Sequence, residues 1–380
     1  MIATNFEIIK KQRANPVNFV DIKDFELREN GQIDAVEILT NERINLYAFD
    51  FKGGQAVFVE TASPDELSQA PFYYQAQYEN AVRVITLPIP AMIGLAQSIT
   101  VDDSKFIFIH SMGRSGSTLA SQLFAKISGV INMSEPDTLT LLVIARFMRP
   151  EQKDMHKMLL DASIRMLCKT PAQTAWVIKG RSWVIELGDW LNELYPHAKN
   201  LYLYREAESW IKSYLGTFVP YLGASMDEIE RTPEEHRQFE IETRGWMKLL
   251  TPSIARYDAD QHLSLTGLTS LMWLDSMTRY TEFNQAGIAM LAIPYSSWKL
   301  DPRRTALSML EYCGCHPDDL TTIEETLAKD SQAGSAISQD SVKKKTPTAQ
   351  FFDPAELNRH LQNHPYIHTA DFEVPNALKL

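Results

Sequence analysis

The chain has 380 residues, with 37 Lys and Arg against 48 Asp and Glu, for a formal net charge of −11. Hydrophobic residues make up 44% and charged residues 22%, a balance that supports a well-buried core in one large α/β domain with an appendage, or in two modest domains. The acidic total argues against non-specific binding to nucleic acid or an anionic membrane, so any polyanion site must be local.

Cys168, Cys313 and Cys315 make no disulfide framework, and Cys313-Gly314-Cys315 reads as a helix end without a second pair to complete a metal site. The N-terminus lacks a basic stretch followed by an apolar one, and the most apolar run, Ala81 to Ala96, is interrupted by Arg83, Pro88 and Pro90. No signal peptide and no membrane span is expected, which makes a reducing cytoplasm the expected compartment.

Residues 1–100 are expected to form a small α+β lobe. Asn45 to Phe51 and Gln55 to Glu60 flank Gly53-Gly54 and read as two strands joined by a tight turn. No catalytic signature is visible in this lobe.

From Lys105 the pattern changes to short apolar runs alternating with amphipathic helices, which predicts a parallel sheet covered on both faces in a domain over 101–380. The predicted strands are Phe106 to Ile109, Val130 to Met133, Trp176 to Lys179, Leu201 to Tyr204 and Ile288 to Tyr295. Leu119, Leu123 and Ile127 mark the helix after the first strand. Ile211, Tyr214, Leu215 and Phe218 mark the helix after the fourth. Residues 221–287 read as a helical insertion, Asp301-Pro302 as a helix start, and 328–350 as a loop.

Ile109 to Thr118 joins the first strand to its helix. Gly113 and Gly116 let the backbone curl close to a ligand, while Arg114, Ser115, Ser117 and Thr118 add donors at a helix N-terminus, which suits a phosphate better than an ordinary Gly/Ser turn requires. The residue after the second glycine is Ser117, so the lysine of an NTP-hydrolysing loop is missing. The fourth strand ends in Arg205 where a magnesium-holding carboxylate is expected. Metal-assisted phosphate hydrolysis therefore does not fit.

These segments, spread in order over roughly residues 105 to 340, resemble the sulfotransferases that use 3′-phosphoadenylyl sulfate (PAPS) and release adenosine 3′,5′-bisphosphate (PAP). The resemblance implies a P-loop-like three-layer α/β domain beside the small N-terminal α+β lobe. Met112 to Leu119 is similar to the family's 5′-phosphosulfate loop. Leu203 to Trp210 with Ser213 is similar to its 3′-phosphate motif, which implies that Arg205 and Ser213 hold that phosphate. Ala292 to Pro302 is similar to a later strand and helix start, with Ser296-Ser297 in place of an acidic pair, and is expected to be structural. Asp330 to Ser335 falls where the family folds a loop over the nucleotide, so Ser331, Gln332 and Ser335 are candidate donor contacts, although the common Arg-Lys-Gly is missing.

Sulfuryl transfer is an in-line displacement through a loose transition state, and depends on positioning and electrostatics. The resemblance implies that Glu135 is the base taking the acceptor's proton, that Lys179 stabilises the bridging oxygen or the moving sulfuryl group, and that Arg114 assists the leaving group. Arg181 is either a further cation of the site or the partner of Glu186. His110 is expected to be packed at the loop entrance, and no metal is expected. Trp183, Trp190, Trp210, Phe218, Tyr221, Trp246 and Trp273 are either core or acceptor platform. The acceptor, a small molecule or a glycan-like group, stays open among sugar, phenol, lipid alcohol and peptide. Two other classes are a magnesium-dependent kinase on a related scaffold and a non-catalytic nucleotide-binding module.

Overall fold

The computed structural model describes residues 1–13, 15–218, 241–256, 263–333, 335, 338 and 352–380. Its N-terminal part runs β1 (Ile2–Lys11), β2 (Phe25–Asp34), α1 (Val36–Thr40), β3 (Ile44–Asp50), β4 (Gln55–Thr61), α2 (Pro64–Gln69), α3 (Tyr73–Asn80), β5 (Ala81–Pro88) and α4 (Ile89–Ala96). The strands form an antiparallel sheet in the order β2-β1-β5-β4-β3. The β3–β4 turn passes through Gly54, at φ +67°, a left-handed position that favours glycine. The apolar run that begins at Ala81 is half strand and half helix.

The rest contains β6 (Phe106–Ser111), α5 (Ser117–Phe124), β7 (Val130–Ser134), α6 (Thr138–Met148), α7 (Lys153–Leu167), β8 (Ala175–Lys179), α8 (Gly188–Leu194), β9 (Lys199–Tyr204) and α9 (Ala207–Phe218). After these come α10 (Pro252–Arg256), α11 (Leu265–Gln285), β10 (Leu291–Pro294), α12 (Tyr295–Leu300), α13 (Pro302–Tyr312), α14 (Leu320–Leu327) and α15 (Pro354–Asn363). The strands form a wholly parallel sheet, order β10-β9-β6-β8-β7. β6 and β8 are buried along their whole length, as apolar runs between two helical layers must be.

Several local expectations match this structure. Asp301 caps α13 by accepting the Arg304 N–H at 2.9 Å, with Pro302 in the first turn. The helix ends at Gly314, φ +69°, where the Cys315 N–H reaches the Leu310 carbonyl at 2.9 Å. The last strand is shorter than expected, because its chain is already helical from Tyr295. Tyr221, Gly334, most of the expected loop, and residues 221–240 and 257–262 of the expected insertion lie outside the described residues, but α10 and α11 fall within that insertion.

One apolar core crosses the lobe boundary. Ile38, Ile44 and Leu87 of the N-terminal sheet side share a cluster with Leu142, Leu159 and Leu187. Lys169, just past α7, adds a polar tie: its ammonium donates to the carbonyls of Ile38, Asn41 and Ile44. No helix among the described residues is long and apolar enough to cross a membrane.

Candidate active site

The central strand β6 has β9 on one side and β8 on the other, so a crevice opens at the carboxyl ends of the strands. The loop after β6 fills it. Gly113, Arg114 and Gly116 take left-handed φ values of +70°, +48° and +89°. A β-carbon on Gly113 would stand 2.7 Å from the Ser182 hydroxyl, and one on Gly116 3.1 Å from the Trp298 indole nitrogen, so both the conformation and the space require glycine. Ser115 anchors the loop from below by donating to the Leu203 carbonyl at 3.0 Å. The Trp210 indole holds it from the side, reaching the Gly113 carbonyl at 2.9 Å. α5 starts after Gly116 without a side-chain cap, which leaves its first-turn N–H groups, those of Ser117 and Thr118 included, for an anion.

Arg114 turns toward α9. Its Nε donates to Ser213 Oγ at 3.2 Å and its Nη1 to Gln332 Oε1 at 2.5 Å. Arg205 reaches the same loop, with Nη1 3.4 Å from the Arg114 carbonyl and Nε 2.7 Å from Ser209 Oγ, while its guanidinium stacks 4.6 Å from the Tyr295 ring. Both guanidinium pKa values lie below the ordinary value. Burial is the main cause for each, and Arg205 is the second cause for Arg114. Two half-buried like charges with neutral hydrogen-bond partners, whose nearby carboxylates Asp330 and Glu206 do not offset their burial, are a site that an anion would stabilise. Arg114 thus bonds both Ser213 and Gln332, whereas Arg205, expected to share the 3′-phosphate with Ser213, bonds Ser209. Ser331 contributes a carbonyl, which accepts from Gln122 at 2.8 Å, and Ser335 donates back to the Gln332 carbonyl at 2.7 Å, so these two shape the turn that presents Gln332.

On the other side of β6, strands β7 and β8 bring Glu135 and Lys179 together. Ser134 is paired in register with Lys179, and the Glu135 N–H bonds the Lys179 carbonyl at 2.6 Å. The Lys179 ammonium donates to Glu135 Oε1. The lysine side chain is 2% exposed and the glutamate 15%. Glu135 has φ +64°, a strained value for a residue with a side chain.

Arg181 corrects one of the two readings offered for it. It does not pair with Glu186, which instead faces Arg279 with Oε2 3.4 Å from Nε. Arg181 pairs with Asp137, its Nε 2.8 Å from Oδ1, and lies 3.9 Å from Glu135. It is a charge of the site itself, stacked 4.1 Å from the Tyr74 ring. His110 is buried near the end of β6, where the loop begins. Burial pulls its pKa down to about 4, against a weaker pull from Asn200. Among the described residues, no three acidic, His or Cys side chains gather as a metal site.

A cavity of about 650 Å³ opens over these groups, within the range of small-molecule sites. Gly113, Arg114, Ser117, Thr118, Glu135, Lys179 and Arg181 form its floor. Of the tryptophans and other aromatics singled out in the sequence, Trp183, Phe218 and Trp246 line it, while Trp190, Trp210 and Trp273 are buried in the core. Sequence reasoning missed Phe19, Phe72, Tyr74 and Tyr214, which also line it. Three of these come from the lobe in which no site was expected.

No protein-family model matches the chain, and no curated protein matches it. Among solved structures the chain is similar to the sulfotransferase domain from the curacin biosynthetic pathway, at 15% identity over 71% of this chain and 98% of that one, with TM-score 0.38. It is also similar to a sulfotransferase from Alicyclobacillus acidocaldarius, at 14% identity over 67% of this chain and 89% of that one, with TM-score 0.37. A third similar structure is a sulfotransferase from Mycobacterium avium, at 12% identity over 75% of this chain and 82% of that one, with TM-score 0.42.

Proposed function

We propose that the chain is a sulfotransferase that moves a sulfuryl group from PAPS to a hydroxyl or amine of an acceptor. The observation that carries this reading is the Glu135–Lys179 pair beside a lysine-free, glycine-bent anion loop, all at the carboxyl edge of one parallel sheet. The donor supplies an activated sulfuryl group on a phosphate leaving group. The loop N–H groups, Ser117 and Thr118 would hold its 5′ end, while Arg205 and Ser213 would hold its 3′-phosphate.

In this reading Glu135 takes the proton of the acceptor as the oxygen attacks. Lys179 and Arg114 stabilise negative charge as it moves to the peripheral and leaving oxygens. The Lys179–Glu135 pair keeps a buried ammonium and a carboxylate satisfied until the donor gives Lys179 a second anion. A magnesium-dependent kinase is disfavoured by Ser117 in the place of a lysine and by Arg205 at the end of β9. A pure binding module has no use for a base at Glu135.

The test is a thermal-shift comparison of PAP, PAPS, ATP and ATP with magnesium. PAP and PAPS at about a hundred times Kd should stabilise by about 2.7 kcal/mol. Stabilisation by ATP with magnesium, lost with EDTA, and none by PAP would replace this reading with the kinase one.

A further inference from the structure

We infer that the N-terminal lobe selects the acceptor: residues 15–19, with Phe72 and Tyr74, form one wall of the transfer chamber, built for an uncharged acceptor with an aromatic or otherwise apolar body. The inference deepens the sulfotransferase reading and rests on it.

The lobe is fixed to the reacting edge of the sheet by two charged residues. Arg181 lies two positions after Lys179, and Asp137 two after Glu135. Arg181 Nη1 donates to the Val17 carbonyl at 2.9 Å and Nη2 to the Asn18 carbonyl at 3.3 Å. Asp137 Oδ2 accepts the Val20 N–H at 2.9 Å and the Arg181 Nη2 at 3.1 Å. The 15–20 loop thus hangs from the same two turns that carry the proposed base and its cation. Its distance from them is set by fully or nearly buried groups, and not by a flexible tether.

The chemistry of the wall follows from what lines it. Among the described residues, the charged ones lining the cavity, Arg114, Glu135, Lys179 and Arg181, belong to the turns at the strand ends. Away from them the chamber offers aromatic rings and neutral polar groups. Phe19 meets Trp183 edge-on at 6.1 Å, and Trp183 meets Trp246 edge-on at 6.0 Å, so one aromatic rim runs from the N-terminal lobe to the helical insertion. Tyr74, at the base of that wall, is stacked by Arg181 at 4.1 Å and Arg13 at 4.9 Å. A charged acceptor body would lose water against these rings, where Arg181 is already paired with Asp137 and Arg13 is engaged by the Asn18 carbonyl, whereas a flat apolar one would bury its surface.

The experiment titrates the full chain, saturated with PAP, with 2-naphthol, 6-hydroxy-2-naphthoate and N-acetylglucosamine, by calorimetry. Phe19→Ala and Phe19→Leu are compared with the wild type, and PAP affinity is measured for each protein. The inference expects 2-naphthol to bind, its Kd to rise about tenfold in Phe19→Ala and less in Phe19→Leu, and PAP affinity to stay unchanged. The naphthoate should bind at least about tenfold more weakly than 2-naphthol. PAP binding without 2-naphthol binding, an unchanged 2-naphthol Kd in Phe19→Ala, or tighter binding of the naphthoate or the sugar overturns it. Failure of PAP to bind the wild type overturns the sulfotransferase reading itself.

Discussion

The Lys179 ammonium and the Glu135 carboxylate meet across two hydrogen-bonded parallel strands, and the lysine is almost wholly buried. Each group therefore has two roles, one in holding the other and one toward the reacting atoms. Substitutions separate the two.

Glu135→Gln should leave PAP affinity within about twofold and reduce transfer of labelled sulfate from PAPS to 2-naphthol by about two to four decades. The amide can still accept from Lys179 but cannot take a proton. Turnover that survives this change removes Glu135 as the base.

Lys179→Met alone leaves Glu135 with only the more distant Arg181 as counter-charge, 3.9 Å away, and should cost at most about 3–5 kcal/mol in urea denaturation. Combining it with Glu135→Gln should cost clearly less than the sum of the two single changes, because no unpaired charge remains. Additive losses would show that the pair is not coupled in solution.

Gly116→Ala places a β-carbon against the Trp298 indole at a left-handed position. It should lower stability by about 1–2 kcal/mol and weaken PAP by at least about tenfold, since the loop must open to accept it. An equal change at Gly54, also left-handed but with open space around it and far from the site, should lower stability without moving PAP affinity.

The pH dependence of stability tests His110. Its folded pKa, about 4, lies below the ordinary value of 6.5, mainly because of burial. The unfolded chain therefore binds the proton first. The contribution is fully present above about pH 6.5 and is lost as pH falls toward 4. Glu186, raised to about 7 mainly by burial and only partly offset by Arg279, acts in the opposite direction, its contribution lost as pH rises from about 4.5 through 7. A His110→Asn variant should thus change the stability difference from wild type by about 2–3 kcal/mol between pH 7 and pH 4.5. The change should favour the variant at the acid end. Parallel profiles would contradict the assignment.

The strands of the parallel sheet were legible because runs such as Phe106 to Ile109 and Trp176 to Ile178 are short and apolar and alternate with amphipathic helices. The anion loop was legible locally too. The N-terminal wall was not. Phe19 lies in a loop and Phe72 and Tyr74 at the start of α3, and only tertiary docking through Asp137 and Arg181 turns them toward the chamber. Glu186 is the nearest carboxylate to Arg181 along the next turn, so local spacing suggested that pair. Asp137, from another strand end, supplies the shorter contact. The isolated tryptophans split in the same manner, since helical spacing does not say which face of a helix meets the core.

In the proposed reaction Arg205 holds the 3′-phosphate of the donor, across the loop from the groups that hold its 5′ end. Calorimetry of PAP and adenosine 5′-monophosphate with the wild type and Arg205→Ala tests this directly. PAP should bind the wild type at least about tenfold more tightly than the monophosphate, and Arg205→Ala should erase that difference while leaving the monophosphate unchanged. Equal affinities in the wild type, or no heat with PAP, would contradict it.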